Sequence, residues 1–187
     1  MLQQRLRSLR SEEAAMKKPT TEQEMSALHN LRRSDPQRYI QIADDWIGND
    51  PSDADTYFGR HIAWRNLGEL DRALDDINTS IKPEPDPISY ISRAQVYRQM
   101  GQHQKAIEDY EGVRATHPIL WQEDWLSLLY QADSYACIGN EPAALACWGL
   151  LPDDMWTPGP HGAPAGNKSQ IADELSRIAA AARRGTA

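Results

Sequence analysis

Two cysteines, one phenylalanine and no apolar run long enough to cross a bilayer set the first limits on this chain of 187 residues. Cys137 and Cys147 are too few for a disulfide framework, and their spacing fits no zinc site. Both are expected as reduced thiols on helices, in a cytoplasmic setting. Positive charge is short as well. The 20 Lys and Arg against 27 Asp and Glu leave a formal net charge of −7, which argues against nucleic acid as a partner. The stretch MLQQRLRSLRSEEAAMKK at residues 1–18 is basic but has no unbroken apolar segment, so no secretory signal and no membrane partner is expected from it.

The motifs of common chemistry are missing too. There is no Gly-rich phosphate loop, no HExxH, no GxSxG and no CxxC. The five histidines, at 29, 61, 103, 117 and 161, share no ligand spacing, so no metal and no cofactor is expected. The adjacent acids Asp44-Asp45 and Asp75-Asp76 are expected on solvated surface, because neighbours on a helix diverge. An enzyme would have to use His161 with Asp153 or Asp154 in the Pro/Gly-rich stretch 153–167, and the expectation is a chain without catalysis.

What is present is self-similarity. WRNLGELDRALDDIN from 64, YRQMGQHQKAIEDYE from 97 and YACIGNEPAALACWG from 135 align column by column. Trp64, Tyr97 and Tyr135 open them, and Gly68, Gly101 and Gly139 follow. Ala73, Ala106 and Ala144 come next, and Ile77, Tyr110 and Trp148 close. Each column steps by 33 and then by 38, so the positions move as one frame. Ahead of each glycine lies a helical stripe: Tyr57, His61, Trp64; Tyr90, Ala94, Tyr97; Leu128, Ala132, Tyr135. Glycine ends that helix in a left-handed C′ position, alanine lets a second helix approach closely, Pro85 and Pro118 stop two of the three second helices, and Asp86-Pro87 restarts the chain. Each unit reads as a helix–turn–helix.

This frame resembles the tetratricopeptide repeat. The resemblance implies an all-α, right-handed α-solenoid of antiparallel helix pairs with flanking helices at both ends. Its parts are an amphipathic helix at 1–19 (Leu2, Leu6, Leu9), an array at 20–152 and a loop at 153–167. A capping helix at 168–187, striped by Ile171, Leu175, Ile178 and Ala182, completes it. Within the array, 54–86, 87–120 and 125–152 are repeats, and 20–53 is a degenerate one in which Ser34-Asp35-Pro36 replaces the glycine turn. Arg60 and Arg93 stand where the family usually has leucine. His61 stands where it prefers a small residue.

The resemblance also implies a binding surface on the first helix of each repeat, opposite the packing stripe. Its candidate residues are Phe58, Ile62, Arg65 and Asn66; then Ile88, Ile91, Ser92, Gln95 and Arg98; then Leu129, Tyr130 and Asp133. The apolar members, with Leu126, read as a patch running across repeats, and Arg65 and Arg98 repeat as a basic pair beside it. In family members that grip the carboxy terminus of chaperones, a clamp begins with lysine and asparagine; Phe58 and Ile62 hold those places here. The expected function is a non-enzymatic adaptor, cytoplasmic and of bacterial type, that takes a peptide or helix of a protein partner. The alternatives are a dedicated chaperone or immunity-type protein masking one partner, a groove filled by the chain's own terminal helices, and a homo-oligomer.

Overall fold

The structure, a computed structural model, describes residues 18–82, 86–118, 124–154, 156, 160 and 165–185. Among the described residues the chain is all-α, with helices α1 (Glu22–Ser34), α2 (Pro36–Asn49), α3 (Ala54–Asn66), α4 (Leu70–Ile81) and α5 (Pro87–Gln99). They continue with α6 (His103–Thr116), α7 (Trp125–Cys137), α8 (Glu141–Gly149) and α9 (Lys168–Gly185). The helix expected from Leu2, Leu6 and Leu9 lies outside the described residues, as do His161 and Pro85.

Local chemistry places the helix ends. Thr21 and Glu24 form a reciprocal capping box at the start of α1. Asp35 both ends α1 and caps α2, accepting from the Arg38 N–H at 3.0 Å, with Pro36 in the first turn of α2. Gly68, Gly101 and Gly139 have φ of 78°, 72° and 80°, and the next residue's N–H bonds back to the carbonyl of Trp64, Tyr97 or Tyr135. That pattern is the Schellman ending, which favours glycine because any Cβ is strained there. A column not read from the sequence sets the other end of each first helix. Asp53, Asp86 and Asp124 accept the hydroxyls of Thr56, Ser89 and Ser127, three residues on.

The chain divides into two compact units, Met1–Pro85 and Asp86–Ala187. In the first, α3 packs on α4, α2 and α1. Tyr39, Ile40, Ala43 and Ala63 form a core, flanked by Leu28, Leu31, Trp64 and Leu67. Gly59 lets α3 sit against α2, for a Cβ there would meet the Tyr39 hydroxyl at 1.9 Å. In the second unit, α5 pairs with α6 and α7 with α8, and α9 lies on α7 and α8 with Ile171, Leu175 and Ala179 buried. The alanines of the sequence frame, Ala73, Ala106 and Ala144, are all fully buried, as close helix contact requires.

One expectation about acidic residues is corrected. Asp76 is not solvated surface: it is 5% exposed and accepts two hydrogen bonds of 2.7 Å from Arg60, which also reaches Asp44. Asp109 does the same for Arg93 one repeat later, at 2.8 and 2.6 Å. Gln131 and Cys147 hold these positions in the next repeat, with the thiol donating to the amide oxygen at 3.3 Å. The sequence pattern showed Arg60 and Arg93 only as replacements for leucine. Their partners sit sixteen residues on, across the hairpin, where adjacency in the chain is no guide. Tyr57 and Tyr90 stack beneath the two guanidiniums at 5.4 and 5.0 Å. Breaking such a pair strands a charge at a cost of about 3–5 kcal/mol when fully buried, and less where the arginine keeps some water.

Candidate functional site

The predicted surface falls into two parts, one in each unit. In the first unit, α3 turns His61 into the protein and presents Phe58, Ile62 and Arg65, half-buried, on another face. The Phe58 ring meets the His61 imidazole edge-on, with centroids 4.9 Å apart. His61 bonds through Nδ1 to the Phe58 carbonyl and is fully buried; burial, then Arg65, pushes its pKa down to about 3. The ring is therefore neutral at pH 7 and serves as packing, not as a proton carrier. Asn66, exposed, donates from Nδ2 to the Arg32 carbonyl at 2.9 Å and so ties the end of α3 to α1.

Phe58 and Ile62 line a cavity of about 460 Å³. The opposite wall comes from Met25, Leu28, His29 and Arg32 of α1, and the floor includes Tyr39 and Trp46 of α2. Lys18 and Asp55 complete the charged part of the lining, and Lys18 is ion-paired to Asp53. Sequence reasoning missed the α1 wall, although the signal was there. Met25, His29 and Arg32 stand 33 residues before Phe58, Ile62 and Arg65, so the repeat frame extends back into the degenerate unit. Arg32, Arg65 and Arg98 form one arginine column.

In the second unit the predicted residues divide differently. Ile88 is 57% exposed, whereas Ile91 and Leu129 are 8% and 3% exposed and belong to the core. Ser92, Gln95 and Tyr130 are half-buried. Arg98 is spoken for: its Nη1 donates to the Asp133 carboxylate at 2.9 Å, and its guanidinium lies 4.2 Å from the centre of the Tyr130 ring. Asp133 is 1% exposed, so this is a largely desolvated pair rather than a free cation offered to a ligand. The same carboxylate faces the Cys137 thiol at 3.9 Å. Burial, then Asp133, pushes that thiol up to about 12, and burial raises Cys147 to about 11; neither supplies a thiolate near neutrality.

No arrangement for acid–base or metal chemistry is assembled among the described residues. No three His, Cys, Asp or Glu there converge as a metal site. Asp153, one acid of the alternative catalytic pair, is hydrogen-bonded to Lys168 at 2.8 Å, and that bond, then the lysine charge, holds its pKa below the usual carboxylate value. No helix among the described residues is long and apolar enough to cross a membrane.

No family model matches the sequence, and no curated protein matches it. Solved structures share its fold. A crystal structure of MamA has a TM-score of 0.58 at 21% identity, covering 67% of this chain and 74% of that one. A crystal structure of MamA protein has a TM-score of 0.60 at 11% identity, covering 84% and 79%. The fold is the tetratricopeptide-like one of MamA, built from antiparallel helix pairs, as the resemblance in the sequence implied.

Proposed function

We propose that this tetratricopeptide-like chain is a non-enzymatic protein-interaction module, a cytoplasmic adaptor of bacterial type that holds a peptide or helix of a partner protein. The observation that carries the reading is the first-unit cavity. Phe58 and Ile62, chosen from the repeat frame as binding residues, line it together with their counterparts one repeat earlier. Apolar side chains left open on a helix face, beside hydrogen-bonding groups, fit the helix-in-groove and extended-peptide modes of recognition. In the second unit Ile88, Ser92, Gln95 and Tyr130 serve as the corresponding contacts, and Ile91, Leu129 and the Arg98–Asp133 pair back them.

The test is comparative. Wild type and Phe58→Ala/Ile62→Ala are immobilised and exposed to native lysate, and the captured proteins are identified by mass spectrometry. The expected result is a small set of proteins held by wild type and lost by the variant, with a cooperative melting curve showing that the variant is folded. Identical sets on both would move the binding surface elsewhere on the molecule.

A further inference from the structure

Among the described residues, the first-unit cavity holds a guanidinium that is not paired with a carboxylate. Arg60, Arg93 and Arg98 each hold a carboxylate. Lys18, the other cation of the cavity, is paired with Asp53. Arg32 has no carboxylate partner among the described residues. Its Nη2 donates to His29 Nδ1 at 3.1 Å, its guanidinium lies 5.6 Å from the Tyr39 ring centre, and its Nε is buried without a hydrogen-bond partner. A half-buried guanidinium beside an aromatic ring and an apolar cavity, with its Nε buried and unbonded, is incompletely compensated, and the acceptor that satisfies it best is a carboxylate in fork geometry.

We infer that the cavity receives an acidic–apolar segment of a partner protein, one large apolar side chain entering between Phe58, Ile62 and Leu28 while a neighbouring carboxylate pairs with Arg32. The inference rests on the interaction-module reading and names the chemistry of its ligand. A volume of about 460 Å³ lies within the range of pockets that enclose small ligands, so it suits side chains rather than a folded surface. Arg32 also lowers the pKa of His29, ahead of burial and Arg33, and contributes to lowering that of His61, so the positive field reaches both rings. A second copy of this chain is disfavoured as the occupant because its net charge of −7 repels itself at long range.

A phage library of random dodecapeptides panned against the full-length protein, with Phe58→Asp as the counter-target, tests the inference. Enriched peptides with Asp or Glu next to Leu, Ile, Met or aromatic residues are expected. Their synthetic forms should lose about tenfold in affinity against Arg32→Gln, the size of one charge-assisted hydrogen bond. Arg32→Lys, which keeps the charge and the stem over Tyr39, should fall between them, and Arg32→Glu should select basic–apolar peptides instead. Melting curves establish that each variant is folded, and if Arg32→Gln is not, Arg32→Lys and Arg32→Glu carry the comparison. Enrichment without acidic residues, or equal affinity for wild type and the Arg32 variants, overturns this inference and leaves the interaction reading standing. Enriched sequences matching this chain itself overturn the partner and make the occupant a second copy or a segment of the same chain. No enrichment over the Phe58→Asp control overturns both.

Discussion

His61 is a titratable side chain that the fold buries fully. Burial keeps its imidazole neutral with a pKa of about 3, whereas in the unfolded chain the ring takes a proton near 6.5. Between those values the unfolded state binds more protons, so stability falls as pH drops below about 6.5 and continues to fall toward about 3. At pH 4.5 this one ring costs on the order of 2–3 kcal/mol relative to neutral pH. Urea unfolding of wild type and His61→Leu at pH 7 and 4.5 measures it: the acid-induced loss should be smaller in the variant by about that amount. Equal losses would mean that the ring titrates normally in the fold. His61 was legible as a packed residue because it falls in the Tyr57–Trp64 stripe. Its contact with Phe58, across one turn of the same helix, ties the packing side of α3 to the cavity side.

Helix and turn were read more reliably than side-chain pairing, and the three glycine turns show why. A left-handed residue after a helical stripe is dictated by groups within a few positions of it, so Gly68, Gly101 and Gly139 announce themselves in the sequence. Their surroundings do not. A Cβ on Gly101 would meet nothing within 4 Å, but one on Gly139 would meet Arg183 Cγ at 2.9 Å. Arg183 arrives from α9, forty-four residues away, and is held there by the Gly139 carbonyl and Glu141. Gly101→Ala should therefore cost about 1–2 kcal/mol, the left-handed penalty alone, and Gly139→Ala should cost more. Denaturant titration of both, alone and with Arg183→Ala, separates the terms. The excess at Gly139 should disappear in the Arg183→Ala background, and its persistence would place the extra cost elsewhere.

Across the whole chain, hydrophobic burial decides which elements are integral. The last helix of the described residues, α9, looks from its stripe like a cover over the final hairpin; Ile171 and Leu175 of that stripe are buried in the second unit's core together with Ala179, while Ile178 and Ala182 are half-buried. The Trp148 indole also donates to the Lys168 carbonyl at 2.8 Å, fixing the start of α9. Leu175→Ala should destabilise the protein by about 2–5 kcal/mol. Leu150→Ala, at a side chain 62% exposed, should stay within about 0.5 kcal/mol of wild type. Thermal unfolding followed by circular dichroism reads both. A small effect at Leu175 would show that α9 is an attached tail and not part of the folded unit.

The helices and the hairpin frame of the described residues were determined by the sequence itself, because periodicity and turn chemistry act over a few residues. Tertiary structure decided what each of those positions is used for. Phe58 and Ile62 stay open to a cavity, while Ile91, one step along the same column as Phe58, is taken into the core. The arginine column divides in the same way. Arg98 meets Asp133, thirty-five residues on, and is neutralised by it, whereas among the described residues no carboxylate is brought to Arg32. A repeat frame sets where a side chain starts and which way it faces. Whether its charge is spent depends on which groups the neighbouring helices carry to within bonding distance, and only packing settles that.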